Sequence, residues 1–371
     1  MEGQKTSLDV PSGGLSRRVF VRAAGGLVVG AALSPWLACS ADDAPGAAAS
    51  AADGGQALEA CRPFLTPVDG FFQQFGASTT VEGWQLPELD TDTHVLRIEG
   101  LVERPLEITV PELEADAARH VTVLNTMMCV LGFRDTAIWT GLPLRALLDD
   151  AGLDLAAARR VRFFGADGFE NNLRVTDIYQ NPQDIFEPLV AFHIYGQRLP
   201  RELGAPMRLL LADRYGFKNT KFLQRIEVTE RDEETGQYQE RGYPDSGVIE
   251  PVPTVENLRI REQLRAGPIE LCGIALSGYA GIERVELALD AEPATPARLE
   301  PLEQHMERYP ELAGVLQVED MARFDWPPRG VWSLWRSEVV LSPGEHTLDV
   351  RVHDRAGGIG EHTTLRLTAE A

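Results

Sequence analysis

The last third of the chain is a series of short segments in which apolar and polar residues alternate. From about Ala266 these segments read P-I-E-L-C-G-I-A-L-S-G, I-E-R-V-E-L-A-L-D, W-S-L-W-R-S-E-V-V-L and H-T-L-D-V-R-V-H-D. Turn residues such as Ser342-Pro343-Gly344 separate them. Alternation with a period of two gives each strand one apolar face, and that face must be covered by a second sheet. The pattern predicts an all-β sandwich, which we place at residues 263–371.

The preceding region, residues 61–262, mixes strand patterns with short helix signals. His94–Gly100 alternates in part, a second strand pattern follows it, and Pro111 is suited to the first turn of a helix. Further strands are predicted at Val161–Phe164, Leu189–Gly196 and Met207–Leu211. A chain of 371 residues with 44% hydrophobic content can bury two cores. The predicted fold class is therefore α+β, with a mixed, β-rich domain followed by the sandwich.

The N-terminal segment has the features of an export signal. Ser16–Arg22 reads S-R-R-V-F-V-R, and the apolar run Ala23–Leu33 that follows is too short to span a membrane. The arginine pair, with phenylalanine two places later, resembles a twin-arginine signal; the alternative is a chance pair before an ordinary signal. We assign residues 1–38 to the signal peptide and 39–60, rich in alanine, glycine and aspartate, to a flexible linker. The expected location is periplasmic or otherwise extracytoplasmic.

Two cysteine assignments depend on this export. Trp36-Leu37-Ala38 before Cys39 is an imperfect lipoprotein box, so Cys39 is a candidate lipid anchor, with cleavage by the general signal peptidase as the alternative. Cys61 and Cys272 could pair in an oxidising compartment. The four cysteines form no C-x-x-C and the seven histidines no H-x-x-x-H, which argues against zinc, covalent haem and dithiol redox motifs.

The formal charge of −21 restricts the class of partner. Nucleic acid and anionic membranes both require a basic face, so neither is expected. An acidic surface suits a cationic protein partner, or serves solubility alone.

One lone cysteine lies at the centre of the stretch Thr122–Leu144, which reads T-V-L-N-T-M-M-C-V-L-G-F-R-D-T-A-I-W-T-G-L-P-L. A strand pattern precedes it, and Pro143 followed by L-R-A-L-L-D-D-A-G predicts a short helix. Cys129 is thus expected at a strand end, in a loop before a helix. Arg134 could place a positive charge beside the thiol and favour the thiolate, which binds soft metals. The alternative is a buried structural cysteine.

This stretch resembles the sulfite oxidase family of molybdenum enzymes, in which a strand-end cysteine ligates molybdenum and a W-x-G-x-P-L segment follows, here Trp139–Leu144. The resemblance implies that Cys129 is the metal ligand and that one pyranopterin dithiolene, molybdopterin, holds the molybdenum. Arg134 matches a substrate-binding arginine of the sulfite-oxidising members, although their C-x-G-N-R is C-V-L-G-F-R here.

The segments G-A-P-M-R-L and Y-G-F-K-x-x-K resemble the part of the family that binds the phosphate-bearing tail of the pterin. An arginine fork and a lysine point charge suit a dianionic phosphate, and glycine lets the backbone approach an anion closely. The A-D-G-F turn matches the family's D-G-F turn near the pterin. The cofactor-binding residues implied by these segments are Gly165, Asp167, Arg208, Gly216, Phe217, Lys218 and Lys221.

Other segments point to different branches of the family. F-F-Q-Q-F-G resembles the F-Y-E-F-G start of the methionine sulfoxide reductase branch and adds Gln73 and Gln74 to the cofactor contacts, whereas sulfite oxidases carry R-N-H there. The segment ending at Tyr243 resembles the one whose tyrosine lies over molybdenum in sulfite oxidases, with Tyr238 as a second candidate. The sandwich resembles the immunoglobulin-like dimerisation domain of sulfite oxidases, which implies a homodimer. The insertion Glu303–Arg323 is interpreted as a helix or lid.

The resemblance predicts an exported molybdenum oxidoreductase that transfers oxygen atoms and exchanges electrons with an external carrier such as a cytochrome c. Sulfite oxidation to sulfate is the first expectation. The alternatives are reduction of an S-oxide or N-oxide, or a tethered binding module without catalysis.

Overall fold

The computed structural model describes residues 61–73, 84–182, 185–233, 236–258, 263–316, 325–361 and 364–371. The predicted signal peptide, the linker, Cys39 and Gln74 lie outside the described residues. In the described ranges, no helix is long and apolar enough to span a membrane.

The first sheet is mixed and has the strand order β2-β1-β10-β5-β6. Its strands are β1 (Val95–Gly100), β2 (Leu106–Thr109), β5 (Arg160–Gly165), β6 (Glu170–Arg174) and β10 (Leu223–Thr229). β1 and β10 run parallel, and the other neighbours run antiparallel.

Short helices cover this sheet because the chain carries their start and stop signals. α1 (Val110–Ala115) has Thr109 as its N-cap, and Thr109 and Glu112 bond reciprocally in a capping box. α2 (Leu144–Ala151) ends at Gly152, whose left-handed φ of 71° suits glycine. α3 (Val175–Tyr179) follows β6. The helix predicted at Pro111 is confirmed.

The second sheet carries the cysteine stretch and has the order β3-β4-β7-β8, with β9 paired to β7. Its strands are β3 (Val121–Met128), β4 (Arg134–Pro143), β7 (Leu189–Ile194), β8 (Gln197–Arg198) and β9 (Arg208–Leu210). Because Met128 pairs with Arg134, Cys129 lies in the loop of a β-hairpin. The prediction that this loop precedes a helix was wrong: the β-branched and aromatic residues of T-A-I-W-T form β4 first.

Two further sheets form the C-terminal sandwich, and the predicted period-two strands are confirmed. One sheet contains β11 (Val252–Pro253), β13 (Gly267–Leu276), β16 (Arg298–Leu299) and β17 (Ser333–Leu341). The other contains β12 (Gln263–Arg265), β14 (Ile282–Leu289), β15 (Thr295–Pro296), β18 (Gly344–Asp354), β19 (Ile359–Glu361) and β20 (Leu365–Glu370). The described part of the predicted insertion contributes α4 (Leu302–Arg308) and α5 (Leu312–Leu316). The α+β class with an all-β sandwich is therefore confirmed.

An apolar cluster joins the cysteine hairpin to the sandwich. Met128 and Ile138 of the hairpin pack in the same buried cluster as Ile274, Trp332 and Leu334 of the sandwich sheet. The N–H of Trp332 donates to Thr126 Oγ1 at 3.2 Å. The Cys61–Cys272 disulfide ties the start of the described chain to β13, which confirms the pairing considered from the sequence.

We expect Cys272→Ser to lower the free energy of unfolding by about 2–5 kcal/mol, because the disulfide closes a very long loop of the unfolded chain. Urea titration of wild type and variant measures the change. Wild type treated with a reductant is the matched control and should lose the same stability. A variant as stable as the oxidised wild type would contradict the prediction.

Candidate active site

A narrow cleft opens where the cysteine hairpin, β9 and the segment after it meet. Aromatic side chains make up much of its wall. Its lining consists of Phe71, Phe72, Met127, Cys129, Asp167, Phe169, Arg208, Gly216, Phe217, Asn219, Lys221 and Tyr238. The structure therefore brings together six of the predicted site residues: Cys129, Asp167, Arg208, Gly216, Phe217 and Lys221.

Cys129 is a free, buried thiol with 8% of its surface exposed. The hairpin loop holds it rigidly, since its backbone N–H donates to the Phe133 carbonyl at 2.7 Å and its carbonyl accepts from Gly132 at 2.9 Å. Burial raises the pKa of the Cys129 thiol, against smaller opposing hydrogen bonds from the N–H groups of Leu131 and Val130. The thiolate form consequently requires a cation at the sulfur, such as a bound metal.

Arg208 is almost completely buried, with 1% of its surface exposed. Its guanidinium donates to the carbonyls of Leu203 at 2.9 Å and Asn219 at 3.2 Å and contacts Met127 Sδ at 3.2 Å. No carboxylate among the described residues pairs with it, and burial lowers the pKa of Arg208 to about 9. A buried cation without an anionic partner is costly, so this arrangement favours a ligand that brings negative charge.

Lys221 adds a second cation to the same part of the cleft. Its Nζ donates to the Glu202 carbonyl at 2.8 Å. Burial, and then repulsion from Arg208, lowers the pKa of Lys221 to about 7, against smaller effects of Asp167 and Glu202. Two cations held this close favour a dianion such as a phosphate monoester. The chain's residues thus fit the phosphate-bearing tail of a pterin.

Without a bound anion, stability should rise with pH through the titration of Lys221. The unfolded chain keeps the Lys221 proton until about pH 10.4, whereas the folded protein loses it near pH 7. Between these values the unfolded chain binds more protons, so raising the pH stabilises the folded state. We expect the melting temperature of cofactor-free protein to rise from pH 7 to pH 9, by calorimetry. Lys221→Gln should reduce this rise to the part due to Lys218 and Arg208, because burial lowers the pKa of Lys218 to about 8 and of Arg208 to about 9. An unchanged slope in the variant would contradict the assignment.

The structure does not bring Lys218 to the cleft. Its side chain is buried on the other side of the segment, where Nζ donates to the Asn172 carbonyl at 2.8 Å and lies 3.5 Å from Asp245 Oδ1. Asp245 also pairs with Arg160 at 2.8 Å. Lys218 is therefore part of an internal ion cluster, and the role predicted for it at the phosphate is not supported by this position.

Arg134 also lies away from the cleft lining. Its guanidinium forms an ion pair with Glu256 and donates to Thr254 Oγ1 at 3.1 Å and to the Gly132 carbonyl at 2.7 Å. Burial is the main cause that lowers the pKa of Arg134 to about 10. In this position Arg134 braces the cysteine loop, and it does not provide the charge expected beside the thiol.

The two candidate tyrosines occupy different layers. Tyr238 lines the cleft and stacks on Phe217, with ring centroids 4.6 Å apart. Tyr243 packs behind it, 5.4 Å from the Tyr238 ring. Burial, and then the nearby Cys129, raises the pKa of Tyr238 to about 12, so its hydroxyl stays protonated and can donate a hydrogen bond. Tyr238 is better placed than Tyr243 to meet a substrate.

Two other predicted contacts lie at the edge of the site. Gln73 lines a separate shallow depression with Glu202 and Leu203. Gly165 lies under the A-D-G-F turn, where an added Cβ would come 2.5 Å from Asp167 Oδ1 and 2.6 Å from the Lys221 carbonyl. Glycine is needed there for the close approach of the turn to the Lys221 segment.

The sequence reasoning missed Asp135, which positions one wall of the cleft. This carboxylate is fully buried and accepts hydrogen bonds from the Phe72 N–H at 2.6 Å and from Thr66 Oγ1 at 2.9 Å. It thereby anchors the segment that carries Phe71 and Phe72. The available signal was an acidic residue directly before the strand pattern T-A-I-W-T, because a carboxylate buried in a sheet must be hydrogen-bonded.

Within the described ranges there is also no group of three or more histidine, cysteine or acidic side chains that could hold a metal ion. A metal beside Cys129 would accordingly need other ligands, as an organic dithiolene cofactor provides. Residues 83–238 match the oxidoreductase molybdopterin binding domain family. The chain thus contains a molybdopterin-binding oxidoreductase domain that fits the sulfite oxidase type, and the cofactor that this domain implies is molybdenum with molybdopterin.

The curated relatives include both protein-methionine-sulfoxide reductases and a sulfite oxidase. The protein-methionine-sulfoxide reductase catalytic subunit of Gluconobacter oxydans is 31% identical over 44% of this chain and 56% of its own length. That of Ralstonia nicotianae is 28% identical, over 58% and 69%. Sulfite oxidase of Gallus gallus is 24% identical, over 76% and 72%. The chain thus spans little more than half of the first relative.

A solved structure supports the fold. The sulfane dehydrogenase SoxCD from Paracoccus pantotrophus superimposes with a TM-score of 0.61 over 96% of this chain and 86% of the other, at 17% sequence identity. At this identity the structural similarity supports the fold alone. The substrate has to be inferred from the geometry of the site.

Proposed function

We propose that this oxidoreductase transfers an oxygen atom from a neutral S-oxide, reducing it to the thioether. The observation that carries the proposal is the charge around Cys129. Of the described residues that line the cleft, only Arg208 and Lys221 are cationic, and both suit the cofactor tail. Arg134, the expected partner for an oxyanion, pairs with Glu256 instead. A sulfite ion would lose its hydration there without a dedicated positive charge.

The bound molybdenum cofactor supplies two-electron oxygen-atom transfer, and the chain's residues hold and shield it. Arg208 and Lys221 bind the anionic tail, with Asn219 and Gly216 beside them. Cys129 offers its sulfur to the metal. Phe72, Phe169 and Phe217 form an apolar wall that excludes water from the reacting sulfur.

Tyr238 completes the substrate side of this site. Its protonated hydroxyl can donate to the S-oxide oxygen, which orients a neutral substrate without a full charge. Its stacking on Phe217 limits the positions that the ring can adopt.

Sulfite oxidation is the second candidate. The chain combines the molybdopterin domain with a sandwich, and its alignment with sulfite oxidase covers 72% of that enzyme. A binding module without catalysis is the third. A metal assay of purified protein separates it from the two enzymes, because the module needs no molybdenum.

The test is a steady-state screen of the molybdenum-loaded protein. Methionine sulfoxide with reduced methyl viologen measures reduction, and sulfite with ferricyanide measures oxidation. We expect turnover in the first assay and little in the second. Arg134→Gln is a matched probe, because it should leave the KM for methionine sulfoxide unchanged if Arg134 only braces the loop. Efficient sulfite turnover whose KM rises in Arg134→Gln would overturn the proposal in favour of sulfite.

The cellular setting follows from the same features. We propose export by the twin-arginine route to an oxidising compartment, supported by the Cys61–Cys272 disulfide, with Cys39 as a candidate lipid anchor. The domains proposed are 61–262 for the molybdopterin domain and 263–371 for the sandwich. β11 (Val252–Pro253) lies before this boundary but pairs with β13 of the sandwich. Electrons would come from a separate protein carrier such as a cytochrome c.

We also propose that the sandwich forms a homodimer, since C2 pairing is the commonest form of self-association. Light scattering of the full chain should give twice the 40.8 kDa monomer mass. A monomer at micromolar concentration would contradict this assignment.

A further inference from the structure

The loop that carries Cys129 exposes two large apolar side chains to solvent. Leu131 is 65% exposed and Phe133 is 48% exposed. Phe133 stacks against Phe72, which lines the cleft, with ring centroids 6.3 Å apart. We call Leu131 and Phe133 the loop patch. It lies at the rim of the cleft and continues the cleft's aromatic wall onto the surface.

The loop patch is unusual because it places two exposed hydrophobic side chains next to each other on the protein surface. The described part of the chain exposes six large hydrophobic side chains, and these two are the ones that share a loop. Single exposed apolar residues need no explanation, whereas neighbouring ones at a site rim indicate contact with a partner.

The loop is also rigid, which distinguishes it from a flexible tip. Its backbone closes through the Cys129 N–H to the Phe133 carbonyl and the Gly132 N–H to the Cys129 carbonyl. Arg134 donates to the Gly132 carbonyl at 2.7 Å and is itself held by Glu256. A braced loop loses little entropy when a partner binds, so a small contact can suffice.

We propose that the loop patch is the docking site of the protein that exchanges electrons with this enzyme. The inference rests on the proposed function, which requires an external carrier. Leu131 is two residues from Cys129, so its Cα lies within roughly 7 Å of the Cys129 Cα. A carrier seated on Leu131 and Phe133 therefore brings its redox group close to the Cys129 sulfur.

Charge complementarity indicates the chemistry of the carrier. The chain has a formal charge of −21, so a small basic protein is attracted over long range. Arg134 and Glu256 neutralise each other beneath the loop, which leaves the patch itself apolar. The partner therefore has an apolar contact surface around an exposed redox group, surrounded by lysines, and the complex is transient and small.

The test measures electron transfer without choosing a substrate. Holoenzyme is reduced with dithionite, freed of excess reductant by gel filtration, and mixed in a stopped-flow instrument with ferric mitochondrial cytochrome c, a basic haem protein. Ferricyanide serves as a small oxidant that needs no docking surface. The variants are Leu131→Ser with Phe133→Ser, and the matched control Leu155→Ser with Val340→Ser, which removes apolar residues of similar exposure elsewhere.

The loop variant should react with cytochrome c at least about tenfold more slowly, and should bind it correspondingly more weakly in titrations followed by NMR line broadening. Its reaction with ferricyanide should stay within about twofold of wild type, and the control should match wild type with both oxidants. Raising the salt concentration should slow wild type with cytochrome c.

Three results would overturn the inference: equal loss with both oxidants, no loss with either, or an effect confined to the KM of a protein-borne S-oxide, which would make the loop patch a substrate surface. Failure of the proposed function has a different signature. Wild type would then fail to reduce methionine sulfoxide with reduced methyl viologen in the steady-state screen, while the stopped-flow comparison of loop variant and wild type would still report on the patch.

Discussion

Replacing Arg208 by methionine should give a protein that folds but is purified with little molybdopterin. The guanidinium is buried beside Lys221 and has no carboxylate partner among the described residues. Each charge-assisted hydrogen bond that it gives a phosphate is worth about 1.5–3 kcal/mol. Loss of the Arg208 guanidinium should thus lower cofactor occupancy by at least about tenfold. Pterin fluorescence after oxidative release, with molybdenum by mass spectrometry, measures occupancy directly.

The same substitution should have the opposite effect on the empty protein. A buried, uncompensated cation costs free energy, and replacing it by an apolar side chain of similar length is neutral or stabilises by about 1–4 kcal/mol. Cofactor-free Arg208→Met should accordingly unfold at equal or higher urea concentration than cofactor-free wild type. A variant that loses both loading and stability would instead identify Arg208 as a structural residue.

Lys218→Met is the matched control, because Lys218 is equally buried and lies in the same motif. Its partner Asp245 keeps a second cation, Arg160. We expect normal cofactor loading with some loss of stability, since the variant disturbs an internal ion cluster outside the cleft. Full loading in Arg208→Met together with loss in Lys218→Met would reverse the assignment.

The contrast between these two residues shows what sequence patterns can predict. Alternation from Ala266 onward was sufficient for the sandwich, and Pro111 for the start of α1, because these signals are local. The motif around Arg208 and Lys218 identified a cationic segment. Which of its charges faces the cleft depends on Asp245, which lies outside the motif and meets Lys218 only in the folded chain.

Arg134 shows the same limit over a longer distance. Its spacing from Cys129 suggested a charge beside the thiol, but Glu256 pairs with it from a segment 122 residues later. A partner so distant in sequence leaves no local pattern. The error about the loop after Cys129 has a similar cause. This loop leads into β4 and not into a helix, because Met128 pairs with Arg134. The register of such a pairing is set by tertiary structure.

Cys129→Ser should preserve the hairpin and abolish most of the activity. The loop is closed by backbone hydrogen bonds that serine can keep, so circular dichroism and the urea midpoint should change little. Serine is a harder donor than a thiolate and suits a soft metal site poorly. Because substitution of residues that merely support a metal ligand costs about 10–100-fold, loss of the ligand itself should lower turnover by at least about a hundredfold.

The outcome separates a metal ligand from a buried structural cysteine. Burial raises the thiol pKa, and the structure places no cationic side chain of the described residues against the sulfur. A structural cysteine would therefore stay a thiol, and its serine variant would keep full turnover with methionine sulfoxide. A ligand is protected instead: loaded wild type should resist alkylation by iodoacetamide in mild denaturant, whereas cofactor-free protein should be modified at Cys129. Since pterin content in Cys129→Ser should stay near that of wild type, a loss of turnover with the pterin still bound would come from the sulfur alone.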